Sequence, residues 1–600
     1  MNEEFSFGTL ATDDLRLQQI KQQRTGLNHL NRITPLDPLP GQPVKVLALS
    51  GGGFILDRVI CRYSIDHSSL QSSSATEVPM QATSTEWDTL TWSYLTTWEV
   101  TLPPQPAKTM VHYQILGFPR NGAQPWVADH CAEFRYYVDD DPPPAWSKEA
   151  IIYQIFVDRF YPGHGNPWKP ARTPADYYGG TLQGITQKLD YLCRLGVNCL
   201  WLSPCYPSPT HHGYDITDLY QIEPRLGTIT DLQELVREAH TRGIRVLLDF
   251  VANHTSHMHP IFQAALSDEN SPYHNWFTWK QWPEEYQSFF GVREMPNWNL
   301  DHPAAREHVI GAAVHWIREC DVDGYRLDYA YGPKHDFWVD FRKAIREVKP
   351  DVWIFGEIVE TPELQRSFAG RLDGALDFLL SQALRGLFAF GSWDVTRFEA
   401  FLTEHERYFP PDFSLPTFLD NHDINRFSWV TRGNADRLKL AALCQFTLSG
   451  PPIIYYGTEV GLSQDRDIRQ NGLGILEESR LPMLWGGAQD QELLSYYQRL
   501  IQIRRQNPVL WQSPRQCLYE DAKTGLYAYQ YKHGQEVAVV LLNVQPNTRT
   551  LALPDIPRAD VLIGDDCRVN VSGEVEIELQ PWQGKLFLHK GPANPSIIGE

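Results

Sequence analysis

Short β-rich segments alternate with helix-like segments between about residues 150 and 460, and this alternation limits the chain to few folds. Each β-rich segment is apolar and short enough to form one buried strand. The segments lie at residues 150–158, 197–203, 244–250, 323–328, 352–357, 374–378, 417–422 and 452–457. Eight strand–helix units predict a (β/α)8 TIM barrel, in which the loops after the strands build the active site.

The connecting segments have the periodicity of amphipathic helices. In residues 231–240, the apolar positions that share one helical face are Leu232, Leu235, Val236 and Ala239. We expect Thr230 or Asp231 to be the N-cap of this helix and Gly243 to end it.

Three of the predicted strands lead into a carboxylate. Asp328 closes residues 324–328, Glu357 closes residues 352–357, and Asp423 follows residues 417–422. A single acid in such a place is usually a helix cap or half of a surface ion pair. Three at the same end of one barrel indicate a catalytic site instead, because a buried charge is costly.

The surroundings of two of these acids predict different roles. Residues two apart on a strand point to the same face, so Arg326 is expected to keep Asp328 ionised as a nucleophile. Glu357 has no basic neighbour in its own segment and follows an apolar run, which would raise its pKa and suit it to donate a proton. Such a pair describes a retaining glycosidase, whose two carboxyls lie about 5 Å apart.

Four ordered motifs resemble those of the α-amylase family of glycoside hydrolases, and the resemblance covers roughly residues 151–504. The motifs lie at residues 249–254 (Asp-Phe-Val-Ala-Asn-His), 324–328, 356–357 and 418–423. The resemblance implies that Asp328 is the nucleophile, that Glu357 is the acid/base, and that Asp423 stabilises an oxocarbenium-like transition state.

The resemblance also implies the residues that bind the sugar. Arg326, His254 and His422 would hold the nucleophile and the sugar hydroxyls. Residues 212–215, His-Gly-Tyr-Asp, look like the family loop whose Tyr stacks under a sugar ring, which makes Tyr214 and Asp215 substrate-binding candidates. A tyrosine often packs in a core, but one in a polar, glycine-containing loop after a strand favours a ligand.

A fifth segment narrows the resemblance. Residues 295–299, Met-Pro-Asn-Trp-Asn, are similar to the Met-Pro-Lys-Leu-Asn motif of the neopullulanase, cyclomaltodextrinase and maltogenic amylase group. Asn297 and Trp298 replace Lys-Leu, and residues 329–332, Tyr-Ala-Tyr-Gly, stand where relatives carry smaller or charged residues. These positions border the acceptor sugar, so the resemblance leaves the preferred linkage and product open.

The resulting hypothesis is a retaining α-glucan hydrolase that cleaves α-1,4 bonds of maltodextrins or cyclodextrins through a covalent glycosyl-enzyme intermediate, with some transglycosylation. The alternatives are an exo-acting maltodextrin α-glucosidase and an enzyme for short α-1,6 or sucrose-type substrates. A noncatalytic glucan-binding protein is disfavoured, because binding alone requires neither a nucleophile nor a proton donor.

The barrel is predicted to lie between two β domains. Residues 1–144 favour an N-terminal β-sandwich, carbohydrate-binding-like, that ends in a stiff linker at residues 139–144. The barrel domain would span residues 145–506, with a short insertion at about residues 255–299. Residues 507–600 favour a C-terminal all-β domain, again a β-sandwich, with a loose tail at residues 591–600.

Composition limits the partners and the compartment. A formal net charge of −20 argues against nucleic acid and anionic membranes. The absence of a secretory pattern at the N-terminus, together with nine cysteines without paired spacing, predicts a cytoplasmic protein. No cofactor is required by the predicted chemistry, although Asn253 corresponds to a calcium ligand in many amylases. Relatives often dimerise, which allows a homodimer.

Overall fold

A computed structural model describes residues 13–66, 70, 75–131, 133–469, 476–553, 560–564, 568–569 and 575–590. The predicted tail at residues 591–600 lies outside this part of the chain. The described residues form an N-terminal β region, a parallel barrel and a C-terminal β region. Among them, no helix is long and apolar enough to cross a membrane.

The N-terminal region starts with helix α1 (Asp13–Gln23) and continues as antiparallel strands. These are β1 (Gly26–Asn28), β2 (Ile33–Thr34), β3 (Val44–Gly51), β4 (Leu56–Ile65), β5 (Thr76–Asp88), β6 (Ser93–Leu102), β7 (Thr109–Pro119), β8 (Trp126–Val127) and β9 (Phe134–Val138). The long strand β5 joins two layers, because its first part pairs with β4 and its second part pairs with β6. Apolar side chains of both layers form one buried core, as a sandwich requires.

The strands of the middle region follow. They are β10 (Ile152–Ile155), β11 (Cys199–Leu202), β12 (Arg245–Val251), β13 (Trp279–Gln281), β14 (Glu285–Tyr286), β15 (Gly324–Asp328), β16 (Trp353–Gly356), β17 (Gly374–Ala375), β18 (Thr417–Phe418) and β19 (Pro452–Tyr455). All except the hairpin β13–β14 form one parallel sheet in the order β17-β16-β15-β12-β11-β10-β19-β18. Hydrogen bonds from Ala375 N to Ser414 O (3.0 Å) and from Asp377 N to Pro416 O (2.9 Å) join its two ends. The predicted (β/α)8 barrel is confirmed, and only β12 runs past its predicted segment, by one residue.

Helices cover the outside of the barrel and connect its strands. They are α2 (Val157–Phe160), α3 (Leu182–Gln187), α4 (Leu189–Leu195), α5 (Ile229–Thr241), α6 (Pro260–Ser267), α7 (Pro303–Cys320), α8 (His335–Val348), α9 (Pro362–Ser367), α10 (Phe378–Arg385), α11 (Val395–Tyr408), α12 (Phe427–Val430), α13 (Ala435–Thr447), α14 (Gln491–Gln506) and α15 (Pro508–Gln512).

The predicted N-cap of α5 was wrong. Thr228 caps this helix, and its side chain accepts a hydrogen bond from Asp231 N while the Asp231 carboxylate accepts one from Thr228 N at 2.7 Å. This reciprocal pair places Asp231 at the third helical position, where an acid closes a capping box. Gly243 follows the end of the helix with a φ of +69°.

The C-terminal region contains two antiparallel sheets. Its strands are β20 (Arg515–Asp521), β21 (Leu526–His533), β22 (Glu536–Asn543), β23 (Arg549–Leu553), β24 (Asp560–Ile563), β25 (Arg568–Val569), β26 (Val575–Leu579) and β27 (Gly584–His589). They pair in the orders β20-β21-β22-β27-β24 and β23-β26-β25, and apolar residues of both sheets share a core.

The segment at residues 139–144, expected to be a stiff linker, lies against helix α8. Arg342 Nη1 donates to Asp139 Oδ2 at 3.0 Å. The carbonyl of Asp141 accepts from Arg342 Nη2 at 3.0 Å and from Arg346 Nη1 at 2.7 Å. Both arginines are buried, so this segment fixes the N-terminal region to the barrel. A cavity of about 1310 Å³ lies between the N-terminal region and the barrel, and its lining includes Asn253 and Tyr329 of the barrel.

Candidate active site

The buried side chain of Arg326 gathers acids from three neighbouring strands. It projects from β15, and its Nη1 donates to Asp328 Oδ1 at 3.0 Å and to Asp249 Oδ1, on β12, at 2.7 Å. Its Nη2 lies 2.8 Å from Oε2 of Glu357, which follows β16. The parallel register places these residues side by side, because Asp249 pairs with Arg326 and Arg326 pairs with Phe355. Two of the three predicted catalytic acids therefore meet on one guanidinium.

Asp328 has one engaged and one free carboxylate oxygen. Its Oδ1 accepts from Arg326, whereas its Oδ2 is buried without a hydrogen-bond partner among the described residues. The pKa of Asp328 is raised to about 7, because burial and the charges of Glu357 and Asp423 together outweigh the opposing charge of Arg326. Arg326 favours the ionised form, as expected, but burial outweighs it, so the expectation that Asp328 is held ionised at neutral pH was wrong.

Glu357 is partly buried, and this burial raises its pKa, as expected, against the opposing charge of Arg326. Its Oε2 accepts a hydrogen bond from the backbone N–H of Tyr329 at 3.1 Å. Tyr329 has a φ of +39°, a conformation that is strained for a residue with a large side chain. The strained turn directly after Asp328 thus orients the carboxyl of Glu357.

Asp423 lies in a second group of charged residues, together with Arg480 and His422. The first group is Arg326 with its three acids, and we call these two groups the centres of the site. Arg480 Nη2 donates to its Oδ1 at 2.9 Å, and His422 Nε2 lies 3.0 Å from its Oδ2. Burial opposes ionisation of Asp423, but His422, Arg480 and Arg326 together lower its pKa below the usual value. Asp423 is therefore an anion at neutral pH.

His422 and Tyr214 connect the two centres. Gln154 Nε2 donates to His422 Nδ1 at 2.7 Å, and the Tyr214 hydroxyl lies 2.7 Å from His422 Nε2 and donates to Asp249 Oδ2 at 3.1 Å. Burial lowers the pKa of His422 to about 3, so the ring is neutral. The rings of Tyr214 and His422 are nearly parallel, with centroids 5.6 Å apart, and form one aromatic surface beside the acids.

Two other predicted residues make different contacts. His254 follows β12, its buried Nε2 has no hydrogen-bond partner among the described residues, and its ring lies 4.5 Å from that of Phe289. Asp215 accepts from Ser208 Oγ at 2.6 Å and from the Thr210 hydroxyl, and these contacts hold its loop together. The bonded network therefore includes Tyr214 but not Asp215, whose role toward the substrate stays a prediction.

Sequence reasoning missed several residues of the network. Two of them could have been identified from the sequence, because Asp249 lies within a recognised motif and Gln154 is a polar residue inside an apolar strand. Trp201 donates from its Nε1 to Asp249 Oδ2 at 3.1 Å, but in the sequence it cannot be distinguished from an ordinary core residue. Arg480 lies 57 positions after Asp423 in a loop, and nothing in the local sequence links the two.

The Asn253 side chain contacts two neighbouring side chains. Its Nδ2 donates to Asn297 Oδ1 at 3.2 Å and lies 3.3 Å from His254 Nδ1. In the part of the chain that the structure describes, no three His, Cys, Asp or Glu side chains come together in a way that could hold a metal ion. A hard cation such as calcium needs several oxygen ligands, usually with carboxylates among them.

An eight-stranded barrel that gathers three acids, one buried and two partly buried, at the carboxyl ends of its strands is typical of one class, the glycoside hydrolases that use carboxylate pairs. Comparison with known proteins identifies the family within this class. The model of the alpha amylase catalytic domain matches residues 154–485, so the chain belongs to the α-amylase family.

Individual relatives agree with the family. The chain is 38% identical over 467 residues to alpha-amylase 2 of Dictyoglomus thermophilum, a match that covers 78% of this chain and 80% of that one. It is 34% identical over 433 residues to a cyclomaltodextrinase of a Bacillus species, covering 69% and 76% of the two chains. A solved cyclomaltodextrinase structure superposes with a TM-score of 0.69 at 27% identity, over 94% of this chain and 99% of that one.

Proposed function

We propose that this protein hydrolyses α-1,4-glucosidic bonds of maltodextrins or cyclodextrins with retention of configuration. The single observation that carries the proposal is the shared guanidinium of Arg326, which holds Asp328 and Glu357 side by side while Asp328 Oδ2 stays free. The similarity to cyclomaltodextrinases supports the substrate class.

In the first step, Asp328 Oδ2 attacks the anomeric carbon. The bond from this carbon to the glycosidic oxygen breaks, and the leaving oxygen takes the proton of Glu357. The raised pKa of Glu357 favours the protonated form that this step needs. The product is a glycosyl ester on Asp328 and a released sugar or opened ring.

In the second step, Glu357, now ionised, takes a proton from water, and the oxygen of this water attacks the anomeric carbon. The ester bond to Asp328 breaks, which restores the carboxylate, and two inversions give net retention. A sugar hydroxyl in place of water would give transglycosylation. Asp423, held ionised by Arg480, stabilises the positive charge that develops on the sugar in both steps.

The aromatic surface of Tyr214 and His422 suits the apolar face of the sugar that becomes bound to Asp328. On another side of the site, the ring of Tyr329 packs against those of Phe289 and Phe290, with centroids 5.0 Å and 5.1 Å apart. We infer that these three rings border the acceptor sugar and influence which product forms.

We further infer a cytoplasmic protein that needs no cofactor and binds neither nucleic acid nor membranes. The eight described cysteines are all free thiols, which suits a reducing compartment. The net charge of −20 disfavours polyanionic partners. A homodimer remains a proposal that light scattering of the purified protein tests.

The decisive experiment is chromatography of early products from β-cyclodextrin, maltoheptaose and pullulan, with Asp328→Asn as the control. We expect ring opening of the cyclodextrin, with maltose or panose among the products. Glucose as the sole initial product, released from linear maltodextrin only, would instead establish an exo-acting glucosidase. Wild-type turnover by Asp328→Asn would contradict the mechanism.

A further inference from the structure

Gln154 is a buried polar residue inside the barrel that the proposed reaction steps do not use. It stands on β10 and is 3% exposed. Its side chain lies on the same face of the strand as Ile152, which packs in one apolar cluster with Trp201 and Phe355 of other barrel strands. A buried amide in such surroundings is costly unless it is hydrogen-bonded. An apolar side chain would pack here at lower cost, so the amide needs an explanation.

The amide of Gln154 is bonded at one end. Its Nε2 lies 2.7 Å from His422 Nδ1. Its Oε1 is buried and has no hydrogen-bond partner among the residues that the structure describes. The bond to His422 is therefore the polar contact that offsets the burial of this amide.

The other ring nitrogen shows where the proton of His422 lies. His422 Nε2 is 3.0 Å from Asp423 Oδ2 and 2.7 Å from the Tyr214 hydroxyl. Burial lowers the pKa of His422 to about 3, so the neutral ring has a single N–H. A lone pair on Nε2 would face the anionic carboxylate of Asp423, so the proton lies on Nε2. Nδ1 is then an acceptor, and the Gln154 amide turns its N–H groups toward the ring.

The Tyr214 hydroxyl agrees with this arrangement. It donates to Asp249 Oδ2 at 3.1 Å, so its oxygen can accept from His422 Nε2. With the proton on Nδ1 instead, the Gln154 amide would turn round and bury two N–H donors without acceptors. Tyr214 would also have to leave Asp249 in order to donate to Nε2. Both changes leave buried polar groups unbonded, which costs free energy.

We propose that Gln154 is a positioning residue that fixes the ring of His422 with its proton on Nε2, so that an N–H faces Asp423 and the bound sugar. A ring held in this way donates to the site and stays neutral. Neutrality matters because the sugar becomes positively charged in the transition state, and a second positive charge nearby would oppose this. The part that concerns the sugar rests on the proposed function, whereas the position of the proton does not.

A neutral amide suits this role better than a carboxylate. Burial keeps the pKa of His422 low despite the attraction of Asp423, and the Gln154 amide adds no charge. A glutamate in its place would put a second carboxylate beside the ring and raise the pKa of His422. Because glutamine and glutamate have nearly the same shape, Gln154→Glu changes the charge while preserving the packing.

The first test locates the proton without any turnover. In protein labelled with ¹⁵N at histidine, protonated and unprotonated ring nitrogens have well-separated chemical shifts, and the signals missing from His422→Gln belong to His422. We expect a protonated Nε2 and an unprotonated Nδ1 in wild type at pH 7. A proton on Nδ1 would overturn the proposal.

The second test separates positioning from folding. Gln154→Met removes the amide but keeps the length of the side chain, and kcat on maltotriose should fall about tenfold or more while KM changes less than about threefold. The matched control is Gln445→Met, because Gln445 is also buried and donates to the carbonyls of Thr417 (2.8 Å) and Ile453 (3.1 Å). This control should lose stability, but its kcat should stay within about twofold of wild type.

The variants divide the outcomes. Equal losses of kcat in the two methionine variants would show that Gln154 contributes only to folding. Gln154→Glu should give a doubly protonated ring and lower kcat about 10²-fold, and such a ring with wild-type kcat would refute the need for neutrality. If neither Gln154 variant folds, the wild-type spectrum still locates the proton. If wild type cleaves no maltodextrin, the proposed function fails while the spectrum still decides the position of the proton.

Discussion

Two acids at the same edge of the barrel have opposite pKa shifts, although each is bonded to an arginine. Arg326 divides one positive charge among Asp249, Asp328 and Glu357, and burial raises the pKa of Asp328 to about 7. His422, Arg480 and Arg326 together lower the pKa of Asp423 despite its burial, although Arg480 also lies 3.8 Å from Glu477. Burial outweighs Arg326 at Asp328, whereas His422, Arg480 and Arg326 together outweigh burial at Asp423. One centre can therefore exchange a proton while the other stays anionic.

The largest effects are expected inside the Arg326 centre, where the two acids differ in role. Asp328→Asn should lower kcat on maltodextrins by about 10⁴-fold or more, because the nucleophile is lost. Glu357→Gln should lower it by about 10³-fold, but an activated leaving group such as fluoride needs no acid and should restore ester formation. Burst kinetics with maltosyl fluoride measure this step. Equal loss on both substrates in Glu357→Gln would contradict its role as proton donor.

The second centre can be weakened without removing an acid. Arg480→Gln should lower kcat by about 10²-fold, because Asp423 loses the charge that keeps it ionised and in place. The loss should deepen toward low pH, since the pKa of Asp423 rises without Arg480. A matched control is Arg437→Gln, whose guanidinium packs over Trp582, outside both centres. Similar losses in the two variants would show that Arg480 contributes only to folding.

The pH dependence of wild type distinguishes the centres directly. Catalysis needs ionised Asp328 and protonated Glu357, and the pKa of Asp328 is raised to about 7. Below this value Asp328 becomes protonated, so kcat/KM should fall about tenfold per pH unit on the acid side. Initial rates on maltotriose between pH 5 and 9 measure this limb. An acid limb near pH 4 would contradict the raised pKa of Asp328.

A smaller effect concerns stability. Because the pKa of Asp328 is higher in the folded than in the unfolded chain, the folded protein binds more protons between about pH 4 and 7, and its free energy of unfolding falls as pH rises through this window. Asp328→Asn should therefore stabilise the protein at pH 8 by about 1–3 kcal/mol, and less at pH 5.5. Denaturant unfolding at both values tests this. Asp423→Asn should show no such gain, because its pKa is lowered.

The smallest effect is expected from metal removal. The Asn253 amide is already bonded to Asn297, and the acids of both centres are paired with arginines rather than arranged around a cation. Dialysis against EDTA should move the thermal midpoint by less than about 1 °C, because only a bound ligand adds stability by mass action. A loss of several degrees that calcium alone restores would reveal a site.

The sequence predicted the barrel well, because eight apolar segments between amphipathic helices leave few other arrangements. It also predicted that Arg326 and Asp328 lie together, since both stand on one strand two residues apart. It could not predict that Asp249 and Glu357 share this arginine, because those contacts depend on the register between strands. The expectation for the pKa of Asp328 was wrong for another reason, because it considered Arg326 and left out the burial of the carboxyl, which is the larger cause.

Loop contacts were the least predictable part of the site. Arg480 reaches Asp423 from a distant loop, and Tyr329 orients Glu357 through its backbone rather than through its side chain. Neither contact leaves a periodic pattern or a spacing in the sequence. The N-cap of α5 is different, because Thr228 and Asp231 have the three-residue spacing of a capping box, which the predicted caps Thr230 and Asp231 overlooked.

The carbonyl of Asp141, which accepts from two buried arginines of α8, affects how the molecule can be divided. A cut after residue 144 looks natural in the sequence, yet it would leave Arg342 and Arg346 without these acceptors inside a helix that follows the nucleophile strand. The two regions should therefore melt as one cooperative unit, and an exchange of N-terminal regions between relatives should succeed only when this short segment stays with its own barrel.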